Sequence, residues 1–319
     1  MEETQFRAAR SPLVPPGGID CHVRDMTATV WADATLGDFQ RALAQHQQWL
    51  PIDGDSSQSM GTLVSTDSTG PLRLGYGAWR DLLLGVQFFN GRGELITAGG
   101  KTVKNVAGYD LTKFMVGQRG IFGRMVSLTM RTYRQPQGAL LARHAPDASI
   151  VSKLIPTSLR PQWVILTRES LLCGYLGDRC TLDFYRHAIG QAGIIERIER
   201  TLDEDIAHRQ SLWTRDGAVA YRAAVPPARL GEFAGKLPSN DWAADAAFGI
   251  VVGAVQDEPA TRPIREAAAS VGGTLRTFRG RFGDPIELST TPAEREIIKR
   301  LKHAFDPASK LNPLPWQHT

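Results

Sequence analysis

Residues 101 to 131 constrain this chain more than any other stretch. Four glycines there, Gly108, Gly117, Gly120 and Gly123, punctuate a short apolar helix and deliver the chain into an alternating strand. Glycine is selected where φ must be positive, or where backbone must lie against something with no Cβ between. With Tyr109 and Asp110 beside them, such glycines suit main chain laid along a flat ligand. They equally suit turns and close packing, and periodicity alone favours that plainer use.

The 319 residues are enough for a substantial core and two domains. With 42% hydrophobic and 22% charged residues the composition is that of a soluble globular protein. The 37 basic against 33 acidic residues leave a net charge of +4. The basic residues form no long run, so no nucleic-acid partner is expected. No apolar run approaches the roughly 20 residues that span a bilayer. The start Met1-Glu2-Glu3-Thr4-Gln5 is acidic and polar, unlike a secretion signal. The expectation is a cytoplasmic protein that meets membranes only through partners.

Cys21, Cys173 and Cys180 are too scattered for a disulfide framework and match no zinc or iron–sulfur spacing. The seven histidines include no pair at helical ligand spacing, and no metal is expected. There is no Gly-x-Ser-x-Gly elbow and no Walker-type loop.

Ala28 to Asp33 alternates like a strand. Thr35 with Asp38 predicts a capped helix, with Leu36, Phe39, Leu43, His46 and Leu50 on its apolar face. That spacing puts His46 at the core or its boundary. Pro51 to Asp55 then leads into a second glycine loop. Leu82 to Phe89 reads as a buried strand, Asn90-Gly91-Arg92-Gly93 as a hairpin turn and Glu94 to Thr97 as the return. Leu111 to Val116 is a short helix, and Met125 to Tyr133 a strand with Val126, Leu128 and Met130 on one face. The result is a mostly antiparallel sheet; no Gly-x-Gly-x-x-Gly follows an early strand, which argues against a Rossmann domain.

Beyond Gln135-Pro136-Gln137-Gly138, strands are predicted at 163–167, 171–176, 218–224, 248–255 and 275–278. Helices are predicted at 182–191, capped by Thr181, and at 203–213, 228–237 and 262–271. This is an α+β layer with helices on one face. Thr291-Pro292-Ala293-Glu294 opens a last helix running to Ala304. No internal repeat is visible.

The string Lys104-Asn105-Val106-Ala107-Gly108-Tyr109-Asp110-Leu111, followed by Gly117-x-x-Gly120-x-x-Gly123, resembles the FAD-binding domain of the vanillyl-alcohol-oxidase/p-cresol-methylhydroxylase (PCMH) superfamily. Ser59 to Pro71, Gly77 to Gly85, and Phe305-Asp306-Pro307 with Leu311-Asn312-Pro313 are similar to three further motifs of that superfamily. Within it, Gly70-Pro71-Leu72-Arg73 and Lys104 to Asp110 look most like the FAD-binding E subunit of glycolate oxidase.

The resemblance implies an α+β protein. A PCMH-type FAD-binding domain with a truncated first subdomain would occupy 1–136, a small α+β cap domain 137–285, and a helix and tail returning to the first domain 286–319. It implies non-covalent FAD, since no histidine or cysteine matches the covalent links of the superfamily. The implied cofactor-binding residues are Gly61, Thr62, Ser65, Thr66, Gly70, Tyr109, Asp110, Gly117, Gly120 and Gly123. Gly61 is expected near the pyrophosphate, and Gly120 and Gly123 with their backbone against the flavin.

Of the superfamily's two phosphate loops, the first (Arg-Gly-Gly-Gly-Thr) has only Pro15-Pro16-Gly17-Gly18-Ile19-Asp20 in its place, and in the second Thr62 replaces a glycine. Arg73, Arg80 and Arg124 are candidates to bind the carboxylate of a small 2-hydroxy acid, although no catalytic residue is assigned. The implied partners are the other subunits of a glycolate-oxidase-like complex, a second flavoprotein and an iron–sulfur subunit. The alternative is a cofactor-poor structural subunit that scaffolds a catalytic flavoprotein.

Overall fold

The computed structural model describes residues 18–100, 110–189, 194–215, 217–279 and 291–314. The chain divides into two compact units, one of residues 1–69, 77–135 and 290–319 and the other of 70–76 and 136–289. Residues 70–76, which the sequence motifs place with the first unit, thus belong to the second.

The first unit contains β1 (Ile19–His22), β2 (Thr27–Trp31), α1 (Leu36–Ala44), β3 (Gln48–Trp49) and α2 (Met60–Thr66). It continues with β4 (Leu83–Phe89), β5 (Leu95–Gly99), α3 (Leu111–Phe114), β6 (Arg124–Arg131) and β7 (Tyr133–Arg134). Five strands form a sheet in the order β1-β2-β6-β4-β5, antiparallel throughout. Its core combines Val30, Val86 and Leu128 from the sheet with Phe39 and Leu43 of α1 and Leu63 of α2.

Local signals account for much of this. The Thr35 hydroxyl accepts the Asp38 N–H at 3.0 Å and starts α1. The Asn90 side chain accepts the N–H groups of Arg92 and Glu94, each at 3.0 Å, and closes the β4–β5 turn. Two expectations need correction. α1 stops at Ala44, so His46 lies past its end and is exposed. The segment read as a second glycine loop is helical: Ser59 caps α2 by accepting the Thr62 N–H, and Asp67 ends it at φ 52°.

In the second unit the elements are β8 (Gly138–His144), α4 (Ser149–Leu154), β9 (Trp163–Leu166), β10 (Leu171–Gly177), α5 (Arg179–Ala188) and β11 (Ile194–Arg200). After α6 (Leu202–Trp213) come β12 (Val219–Ala224), α7 (Leu230–Gly235), β13 (Trp242–Asp245), β14 (Ile250–Val255), α8 (Arg262–Ser270) and β15 (Thr274–Arg279). The eight strands run β11-β8-β10-β9-β13-β14-β12-β15, with every pairing antiparallel.

This order is a β-α-β-β-α-β unit used twice. The first half lies 4-1-3-2 and the second 2-3-1-4, so the two meet through their second strands, with Ala244 opposite Leu166. The sequence reading found no repeat; the structure shows one of topology. Leu140, Val164 and Cys173 of the first half and Tyr221, Ala244 and Val251 of the second share one core. α6 brings Asp205 and Arg209 into the protein, where both are buried and paired with each other. Asp205 also accepts the Trp163 indole N–H at 3.2 Å. Asp178 caps α5, not Thr181 as the sequence suggested; Thr181 supplies the N–H that the Asp178 side chain accepts.

The carboxy-terminal helix, Pro292–Phe305, starts from the capping box of Thr291 and Glu294. Its last turn buries Lys302, whose ammonium donates to Asp306 at 2.6 Å, the Ile121 carbonyl at 3.0 Å and the Asn312 carbonyl at 2.9 Å. Asp306 also accepts the N–H groups of Lys310 and Leu311, each at 2.8 Å. Burial alone would raise the Asp306 pKa, but Lys302 and these N–H groups outweigh it and hold it below the usual carboxylate range. Removing one partner of a buried pair leaves the other charge uncompensated, at about 3–5 kcal/mol. Lys302→Met is therefore expected to lower unfolding free energy in urea at neutral pH by about 3 kcal/mol or more, whereas a loss below about 1 kcal/mol would contradict this account.

Candidate functional site

α2 buries Met60, Leu63 and Val64, leaving Ser59, Thr62, Ser65 and Thr66 on its outer side at helical spacing. These four hydroxyls gather around Thr62. Ser59 Oγ and Thr62 Oγ1 lie 2.8 Å apart, while Thr66 and Ser65 donate to the Thr62 carbonyl at 2.8 and 3.1 Å. The amides at the amino end of α2 are already engaged. Met60 N–H donates to Ala34 O at 2.8 Å, Gly61 N–H to Ala32 O at 2.7 Å and Thr62 N–H to Ser59 Oγ at 3.2 Å.

The glycine segment runs alongside the other end of α2. Gly117 N–H donates to Val64 O at 3.0 Å and Arg119 N–H to Ser65 O at 2.8 Å. Buried Gln118 holds the segment in shape, donating to Gly123 O at 3.0 Å and accepting the Phe122 N–H at 3.1 Å. From the carboxy-terminal tail, the Asn312 amide donates to Arg119 O at 2.7 Å and its backbone N–H to Gly120 O at 3.2 Å.

The structure thus brings Gly61, Thr62, Ser65 and Thr66 together with Gly117 and Gly120 in the first unit. Each glycine has a reason within the protein itself. Gly117 and Gly120 take φ of +80° and +74°. A Cβ on Gly61 would stand 2.9 Å from Ala32 O, one on Gly120 2.6 Å from Asn312 Nδ2, and one on Gly123 3.0 Å from Phe89 O. Valine at Gly61 would therefore disturb the fold whether or not a ligand binds.

Gly70 is buried and belongs to the second unit. Tyr109, with Lys104 to Gly108, lies outside the described residues. Asp110 is exposed and caps α3, accepting the Lys113 N–H at 3.2 Å. Its pKa is lowered, first by a hydrogen bond from the Thr112 side chain and then by Lys113. The sequence reading missed the supporting roles of Gln118 and Asn312. Both could have been suspected from their places, one between two glycines and the other in the closing motif.

The FAD binding domain family matches residues 17–99. Similar proteins include glycolate oxidase subunit GlcD of Bacillus subtilis, 26% identical over 91% of this chain and 75% of that protein. Glycolate oxidase subunit GlcE of Escherichia coli is 30% identical over 43% of this chain and 40% of that protein. A D-lactate dehydrogenase of Archaeoglobus fulgidus is 23% identical over 88% of this chain and 75% of that protein. Among solved structures, an alkyldihydroxyacetonephosphate synthase superposes with a TM-score of 0.63 at 13% identity, covering 94% of this chain and 65% of that one. That likeness shows the fold.

Residues 17–99 match an FAD binding domain, in keeping with the PCMH-type resemblance of the motifs. The chain is a flavin-dependent oxidoreductase, and FAD is its cofactor. The residues present fit FAD in a particular way. With the α2 amides engaged by the protein, a phosphate at this helix would meet side-chain O–H donors, which can rotate toward it. Thr62, standing where the superfamily pattern has glycine, would supply one of them.

Arg73 is committed elsewhere. In the second unit its Nε donates to Asp245 at 3.0 Å, and its guanidinium lies 3.9 Å from the centre of the Phe248 ring. Arg80 and Arg124 are exposed on the first unit. Among the described residues, no group of His, Cys, Asp and Glu is arranged to hold a metal ion. No helix among them is long and apolar enough to cross a membrane.

Burial pushes the Asp245 carboxyl up to about 6, although Arg73 and the Ala247 and Phe248 N–H groups pull it down. Its pKa is thus higher folded than unfolded, so the folded protein binds the proton more tightly. The contribution of this group to stability is fully present below about pH 4 and is lost as pH rises through about 6. Asp245→Asn is expected to flatten stability against pH across that window. The urea midpoint at several pH values checks it; an unchanged slope would show that Asp245 titrates normally.

Proposed function

We propose that the chain is the non-covalent FAD-binding subunit of a 2-hydroxy-acid oxidase or dehydrogenase of the glycolate type. The observation that carries this is the similarity to a glycolate oxidase subunit and a D-lactate dehydrogenase along nearly the whole chain, together with the FAD-domain match. The partners would be the remaining subunits of such a complex, a second flavoprotein and an iron–sulfur protein; the GlcD and GlcE relatives are themselves named as subunits.

When bound, FAD supplies the two-electron acceptor for converting the alcohol carbon of the acid to a carbonyl. The chain's own part is to hold and orient. Thr62, Ser65 and Thr66 would donate to phosphate oxygens, while Gly117 and Gly120 keep the neighbouring segment free of side chains. Gly70, Tyr109, Asp110 and Gly123 belong to the proposed cofactor set through the motif. Arg80 and Arg124, exposed on the first unit, are the candidates to receive the substrate carboxylate, whereas Arg73 is paired with Asp245. We place the protein in the cytoplasm, associated with membranes only through its partners.

The engagement of the α2 amides favours a second reading, a cofactor-poor subunit that scaffolds a catalytic flavoprotein. One experiment separates the two: FAD titration of the purified chain, alone and with its partner subunits, followed by glycolate, D-lactate or D-2-hydroxyglutarate. The leading reading expects FAD uptake and bleaching by one of these acids. Thr62→Val with Thr66→Val should weaken FAD by about ten-fold or more, since hydrogen bonds to charged groups are worth about 1.5–3 kcal/mol each. The melting temperature of the apoprotein should barely move. Protein that takes up no FAD under any of these conditions supports the scaffold.

A further inference from the structure

β11 is an edge strand of the eight-stranded sheet, and only β8 pairs with it. Among the described residues no backbone group bonds to its outer edge. Edge strands present rows of unpaired N–H and C=O groups and template pairing with another chain unless something covers them. Among the described residues this edge is uncovered, and the Glu196 and Glu199 side chains along it are 47% and 66% exposed. A register shift between Ile194 and Glu196 leaves Ile195, an apolar residue, 58% exposed.

The order of charges says what fits there. From 196 to 200 the strand reads Glu-Arg-Ile-Glu-Arg. Laid antiparallel on a second copy about Ile198, it opposes Glu196 to Arg200 and Arg197 to Glu199, each pair occurring twice by symmetry. Each pair also shares a sheet face, because successive side chains alternate. Shifting the centre to Arg197 sets Arg197 against itself, and shifting it to Glu199 sets Glu199 against itself. Charge therefore selects one register, as a one-residue slip in a strand pair also exchanges the faces.

The intrachain pairs leave this capacity in place. Glu196 meets Arg143 at 2.9 Å and Glu199 meets Arg186 at 2.8 Å with all four side chains still well exposed, while half-buried Arg197 donates to the Arg186 carbonyl at 3.0 Å. The Arg200 Nε is out of contact with water and has no hydrogen-bond partner among the described residues. Glu196 of a second copy would supply a carboxylate beside that guanidinium.

We infer that β11 is the contact strand of a two-fold homodimer, joining the sheets of two copies edge to edge with Ile198 at the axis. This goes beyond the flavin reading and does not depend on it. Sedimentation equilibrium of the full chain over a concentration series tests it, with Glu196→Arg, Arg200→Glu and the double swap. The wild type should dimerise. Each single swap places like charges opposite one another twice and should raise the dimer Kd about ten-fold. The double swap restores opposite charges and should return the Kd to within about three-fold of wild type. A chain that stays monomeric, a dimer indifferent to the single swaps, or a double swap no better than either single overturns the inference. Should the variants fail to fold, amide exchange of β11 in the wild type decides. Exchange should slow as concentration rises, and concentration-independent exchange overturns the inference.

Discussion

The ammonium of Lys302 holds the first unit's separate pieces together. It reaches the Asp306 carboxylate, the Ile121 carbonyl and the Asn312 carbonyl. These belong to the last helix turn, the tail just after it, and the glycine segment 181 positions earlier. Asp306 extends the node, since Gly91 packs against its side chain and Gly91 N–H donates to Phe305 O at 2.9 Å. The aromatic group of Phe114, Phe122 and Phe305 surrounds this network, with centroids 4.8 to 6.1 Å apart. Such a buried cation is costly unless every donor is used, and here three acceptors meet its three protons.

The glycine segment owes its conformation to that node as much as to its own residues. Gln118 fixes its interior, Asn312 fixes its outer edge, and α2 receives its N–H groups. The positive φ at Arg119, 54°, falls among these contacts. A non-glycine residue in that region carries strain unless its surroundings enforce it. The candidate cofactor surface is therefore built from residues about two hundred positions apart, and the closing Asp306…Asn312 motif is a working part of it.

What could be read from the sequence was what is decided locally. The caps at Thr35 and Thr291 each depend on a residue three positions on, and the Asn90 turn closes on itself. α2 was not legible, because its serines, threonines and glycine are weak helix formers and the burial of Met60, Leu63 and Val64 overrides them. β11 was missed because Ile194, Ile195 and Ile198 carry helical spacing while Arg197 and Glu199 occupy a sheet face. Within the candidate site, motifs pointed to α2 and the glycine segment, but nothing local linked them. Arg73 looked available for a substrate because Asp245, which binds it, lies 172 residues away. The repeated topology was hidden for a similar reason: a β-α-β-β-α-β unit constrains which positions are apolar, not which residues fill them.

That duplication bears on how the second unit gives way. Each half closes its own four strands, while the junction between halves rests on the short run where Leu166 faces Ala244. A continuous sheet would open from its edges inward. This one has its thinnest ladder in the middle, so each half is a plausible cooperative unit of partial unfolding, in the sense in which local opening follows supersecondary motifs. The middle of the sheet, the most protected place in most proteins of this architecture, is here the natural line of separation.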